Sequence, residues 1–179
     1  AILTRLSEES AAPLAEIENL TGQFAQDSTG FSTVTYDRWF DQKHGKLMAA
    51  HPWVKLHVMV GTVTNVVTGV KVSGEADCPL LPELLAQTAK RFKVKEVSGD
   101  KAYLSKANLE AIEAVGAVPL IPFKVNSVGM ASKSPHWKRM LCHFSLKSED
   151  FLARYHRRSF VETTMWMIKS KWGGGVRSK

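Results

Sequence analysis

The sequence predicts a mixed α/β domain around a single sheet, and three of its features point there. Residues 53–72, WVKLHVMVGTVTNVVTGVKV, are dense in Val and Thr and partly alternate, as neighbouring strands do. Two later stretches, 77–92 and 101–116, space their apolar residues three and four apart, and a short apolar segment follows each. The elements run strand, β-rich meander, helix, strand, helix, strand, basic loop, helix, an order that suits one sheet covered by helices. At 179 residues and 44% hydrophobic, the chain can build one real core and has the length of a single domain, 1–179.

Residues 7–19, SEESAAPLAEIEN, read as a short lead-in helix with Ser7 as its cap and early glutamates in its first turn. GQFAQ then forms a short strand ending on Asp27, and STG after it is a turn signal. Residues 31–40 read as a second short strand, and DQKHGK as a basic turn. In the Val/Thr-rich stretch, Gly61 and the turn-like TGV around Gly69 divide two or three strands, with Leu56, Val58 and Val60 on one face and His57 and Met59 on the other. Leu81, Leu84, Leu85, Thr88 and Ala89 then have helical spacing, with Pro82 near the first turn. VKEVSG is a short strand leading to Asp100. Ser105 caps the next helix, Leu109, Ile112 and Val115 give its apolar side, and Gly116 stops it. AVPLIPF is a strand whose prolines suit an edge. Residues 124–147, rich in Lys, Ser and His, read as a long basic loop, and a last helix runs from Ser148 to about Lys171, ended by GGG.

Charge is unevenly placed. Residues 1–123 hold 12 Lys/Arg against 14 Asp/Glu, whereas residues 124–179 hold 12 against 3. The net +7 of the chain therefore comes from its last third, where Trp and Tyr are interleaved, and this favours a polyanion, nucleic acid before membrane. No run of about 18 apolar residues is present, so a membrane helix is excluded. The opening AILTRLSEES lacks the layout of a secretory signal. Cys78 and Cys142 have no metal-ligand spacing, which makes a reduced intracellular setting the default and leaves a single bridge between them open.

Asp27 and Asp100 each close a short strand, and strand ends of an α/β sheet are where sites gather. Taken singly, either is also an ordinary turn aspartate. The last helix adds a lone acid, Glu162, in a basic and apolar segment. At 100° per residue, Tyr155, Arg158, Glu162 and Lys169 share a stripe about 60° wide. An i,i+4 ion pair accounts for Arg158 and Glu162 but not for the alignment of Tyr155 and Lys169. Three carboxylates brought together repel unless divalent cations neutralise them, and oxygen-only ligation suits Mg²⁺ or Mn²⁺. A two-metal pair activates a water or a 3′-hydroxyl for in-line phosphoryl transfer, while basic side chains nearby would hold backbone phosphates. Such a site places its carboxylates within roughly 4–8 Å of one point.

Tyr, two residues, Arg, three residues, Glu, six residues, Lys is the signature of bacterial insertion-sequence transposases of the IS4/IS5 type, and Tyr155, Arg158, Glu162 and Lys169 fit every gap. DSTG at 27–30 resembles that family's first catalytic-aspartate motif, WVKLHVMVG its following strand, and SGDKAY at 98–103 with GAVPLIPFK its second-aspartate region. The likeness covers about residues 20–172. It implies an RNase H-like α/β fold with a central mixed five-stranded sheet flanked by helices. Asp27, Asp100 and Glu162 would be the DDE triad, catalytic and metal-ligating, holding Mg²⁺ (or Mn²⁺), two ions in all. Arg158, Lys169, Tyr155 and Lys101 would contact DNA. The partner implied is double-stranded DNA, transposon ends and target, handled by a homodimer in the full synaptic complex of a cytoplasmic, nucleoid-associated bacterial protein. Family members commonly carry an N-terminal recognition region and many a β-rich insertion before the last helix. Here 26 residues precede Asp27 and residues 124–147 are short and polar, so the chain reads as a catalytic domain.

Two rival functions stay open on sequence: an RNase H-like nuclease that only hydrolyses, and an inactive DNA-binding remnant. Others do not. The spacings of His51, His57, His136 and His143 match no zinc motif, nothing like GxSxG supports Ser28 as a nucleophile, and neither GxGxxG nor GxxxxGK[ST] occurs.

Overall fold

A computed structural model describes residues 2–32, 53–124, 127 and 133–175. Five strands form one mixed sheet in the order β3-β2-β1-β4-β5: β1 (Gln23–Ser32), β2 (Trp53–Gly61), β3 (Val67–Ser73), β4 (Glu96–Ser98) and β5 (Val118–Leu120). β1, β2 and β3 are an antiparallel meander, while β4 and β5 join β1 in parallel. β5 is an edge strand, which is where Pro119, lacking an N–H, can sit.

Alternation along β1 sorts its side chains to two cores. Phe24 belongs to the larger, with Met59, Leu81, Leu84, Leu85, Leu109 and Ile112. Ala25 belongs to the smaller, with Val58, Val60 and Val70, covered by Val161 and Met165. Helix α3 (Leu81–Ala89) lies so close to β3 that a Cβ on Gly69 would stand 2.8 Å from the carbonyl oxygen of Leu84. Two side-chain bonds seal that contact, Thr68 to Thr88 at 2.9 Å and the Val70 N–H donating to Gln87 Oε1 at 3.0 Å. Helix α4 (Lys106–Ala114) is capped as expected, Ser105 Oγ accepting from the Asn108 N–H at 3.1 Å, and it ends at Gly116 with φ +78°. Among the described residues no helix is long and apolar enough to cross a membrane.

The structure corrects several boundaries. The lead-in begins earlier, as α1 (Ile2–Ala11), and breaks into a 3-10 turn at Pro13 before α2 (Ala15–Thr21). Ser7 caps nothing; it is buried, its hydroxyl donating to the Val67 carbonyl at 2.8 Å. STG is no turn, because β1 continues through it to Ser32. Beyond Phe31 and Ser32, which are part of β1, the strand expected at 31–40 and the turn DQKHGK lie outside the described residues.

The basic loop at 124–147 contains helix α5 (Pro135–Leu146), with Ser134 Oγ accepting from the Trp137 N–H and Pro135 at the first helical position. The single last helix is two: α6 (Ser148–Tyr155) and α7 (Ser159–Trp172), joined by a 3-10 turn His156–Arg158. Ser148 is the first residue of α6, not its cap. Cys78 and Cys142 are both free.

Candidate active site

Strand pairing aligns the two aspartates. In the parallel register of β1 with β4, Ala25 stands beside Ser98, and Asp27 and Asp100 each lie two residues further on. Asp27 shares its face of β1 with Ala25, the face covered by α7. Asp100 leaves the end of β4 and caps a 3-10 turn, its Oδ1 accepting from the Ala102 N–H at 2.8 Å. Glu162 comes from the first turn of α7, where the helix dipole favours an acid, and is exposed.

One guanidinium ties two of these elements together. Arg158 Nη1 donates to Asp27 Oδ2 at 3.2 Å and Nη2 donates to Glu162 Oε1. Both the Arg158 and the Asp27 side chains are largely enclosed, at 18% and 23% exposure. Burial raises the Asp27 pKa above its ordinary value, opposed by the Ser28 N–H and Arg158 and reinforced by Asp100 and Glu162. Asp100 and Glu162 thus both act on Asp27 through space. Tyr155 packs beside Arg158, whose Cζ is 6.0 Å from the ring centre, and burial raises the phenol pKa.

Lys169 lies further along α7 with its Nζ 5.5 Å from the centre of the Phe31 ring, a residue two pleats beyond Asp27 on the same face of β1. The four residues expected on one straight helix are divided by the 3-10 turn, with Tyr155 at the end of α6, Arg158 just before α7, and Glu162 and Lys169 on α7. Lys101 is exposed at the start of the turn after Asp100.

Among the described residues no three carboxylate, imidazole or thiol groups converge closely enough to hold a metal ion as they stand. At this site the Arg158 guanidinium lies between Asp27 and Glu162 as their counter-ion. The donor set still fits a hard divalent cation. It is all carboxylate, and it already gathers positive charge between its members.

Two further residues of interest emerge from the structure. Asp77 precedes a 3-10 turn without capping it, and its carboxylate accepts instead from Ser28 Oγ at 2.8 Å, directly beside Asp27 in the chain. Trp166, four residues beyond Glu162, is 68% exposed on the solvent side of α7. Only the long-range pairing of β1 with the loop after β3 could have disclosed the first. Helical spacing from Glu162 and Lys169 was available for the second.

A parallel strand pair and a facing helix carry three acids with basic side chains beside them. The sequence matches the family model of the transposase DDE domain over residues 20–178. The chain therefore belongs to the transposase DDE domain family, enzymes that cleave and transfer DNA, and the sheet with its flanking helices is the RNase H-like fold of that family. The IS4/IS5-type spacing from Tyr155 to Lys169 is compatible with that membership.

Proposed function

We propose that residues 1–179 form a single catalytic domain that cleaves DNA at insertion-sequence ends and joins the freed strand to a target, with Asp27, Asp100 and Glu162 as its catalytic carboxylates. The observation that carries this reading is the Arg158 guanidinium shared by Asp27 and Glu162, with Asp100 at the matching register on the neighbouring strand. Two acids on separate elements share one positive charge, and the third closes the neighbouring strand.

Asp27, Asp100 and Glu162 would hold two Mg²⁺ or Mn²⁺ ions, which when bound supply charge neutralisation and Lewis acidity for in-line phosphoryl transfer. The chain's own residues do the rest. Arg158, displaced from the carboxylates, becomes free to grip a backbone phosphate bidentately. Lys169 extends that grip along α7, Lys101 adds a contact on the Asp100 side, and Tyr155 holds the arginine's approach through its ring. None of these contacts reads bases, so affinity is set by the backbone and falls with salt. Two ends brought together would need two copies of the domain, hence a homodimer in the synaptic complex.

The test is cleavage of supercoiled and transposon-end DNA in Mg²⁺ or Mn²⁺ by the wild type, Asp100→Asn and Glu162→Gln. Each substitution is expected to cost more than the ~10–100-fold typical of changes one shell outside a metal. Metal-dependent cleavage that survives both overturns the assignment.

A further inference from the structure

Behind β1, on the face opposite Asp27, lies a polar cluster that the proposed chemistry does not use. Asp77 Oδ1 accepts from Ser28 Oγ at 2.8 Å, and the Asp77 carboxylate takes the Lys55 ammonium at 3.2 and 3.3 Å. The Nδ1 of His57 stands 3.4 Å from the same oxygen. His57 is fully buried, its burial lowers its pKa, and its Nε2 meets Ser73 Oγ at 3.2 Å. The Ser28 hydroxyl and the Lys55 ammonium hold the Asp77 carboxylate from two sides, with the His57 ring close by.

The same cluster reaches the second aspartate. The buried Asn108 amide donates to the Cys78 carbonyl at 2.9 Å and to the Tyr103 carbonyl at 2.8 Å. Cys78 follows Asp77, and Tyr103 ends the turn that Asp100 caps, so one side chain clamps the two turns together. The Tyr103 ring packs under β4's end, where a Cβ on Gly99 would lie 3.2 Å from its Cδ2. Its buried phenol lies in the field of Asp27, Asp77 and Asp100, and the Ser28 hydroxyl acts on it as well.

We propose that Asp77, acting through Ser28 and through the Asn108 clamp, is a positioning residue that sets the separation of Asp27 from Asp100. A charged bond to the residue after Asp27 holds the pleat of β1, and Asn108 holds the Asp100 turn to the same support. Two ligands on different strands share ions only if their spacing is held, and a support loosened by ~1 Å is enough to weaken such a site. This rests on the proposed roles of Asp27 and Asp100.

The experiment compares wild type, Asp77→Asn, Ser28→Ala, Ser28→Thr, the double variant Asp77→Asn/Ser28→Ala, and Asp27→Asn as a control. Mn²⁺ titration followed by electron paramagnetic resonance, DNA affinity in chelator, cleavage rate and thermal midpoint are read for each. Asp77→Asn and Ser28→Ala should each raise the half-saturating Mn²⁺ about tenfold and slow cleavage to a similar extent, with DNA affinity unchanged. The double variant should be no worse than Ser28→Ala, because Asp77→Asn weakens the bond that Ser28→Ala removes. Ser28→Thr, which keeps the hydroxyl, should restore Mn²⁺ binding. Wild-type Mn²⁺ midpoints in Asp77→Asn and Ser28→Ala, or losses that follow the thermal midpoint alone, overturn the positioning role. An Asp27→Asn protein that still binds Mn²⁺ and cleaves like wild type overturns the underlying site instead.

Discussion

Asp27 carries its charge where burial disfavours it. Enclosure under α7 is the largest influence and raises its pKa, and Asp100 and Glu162 add to the rise. A native pKa above the unfolded value means that the folded protein holds the proton more tightly, so stability falls as pH climbs through the raised pKa. Asp27→Asn should therefore make the ion-free protein more stable than wild type at neutral pH, and the gap should close as pH falls toward the ordinary carboxylate range. Urea unfolding at about pH 7 and about pH 4 checks this, and a gap that stays constant or reverses contradicts it. At this scale the candidate acids were legible because each sits in a short motif of its own. Asp77 was not, because it is 49 residues from Ser28 and the bond exists only once β1 and the loop after β3 are adjacent.

Between elements, the site depends on how closely helices lie on the sheet. Gly69 lets α3 rest against β3, and an added methyl would collide with the Leu84 carbonyl, a backbone atom that cannot swing aside. Gly69→Ala should cost about 1–3 kcal/mol, read as a lower denaturation midpoint with an unchanged slope. A neutral result would mean that α3 sits further from β3. The strands and the helices after them were readable from alternation and from caps such as Ser105, which work locally. Helix α5 was hidden within a segment, 124–147, rich in Lys, Ser and His, although Trp137, Met140, Leu141 and Phe144 keep helical spacing and Ser-Pro marks its start. The break at His156–Arg158 contains no glycine or proline, so nothing local announced it. It brings Arg158 against both Asp27 and Glu162.

Across the whole molecule, charge and fold agree. The basic last third supplies α5, α6 and α7, so positive charge gathers on the helices that end the chain, and α7 lies over the Asp27 face. Lys169→Ala should weaken DNA binding about equally for all sequences and reduce the salt dependence of log K by about 1, measured by fluorescence anisotropy across a salt series. A loss confined to one sequence would contradict a phosphate contact. The sheet's strand order was not readable from the chain, because parallel β4 and β5 join an antiparallel meander through contacts distant in sequence. The proposed two-ion site consists of Asp27, Asp100 and Glu162, two of which share Arg158. Counting Mn²⁺ bound to the protein–DNA complex by electron paramagnetic resonance tests it most directly. Two ions per chain are expected in wild type, with loss of at least one in Glu162→Gln; an unchanged count in that variant would contradict the two-ion site.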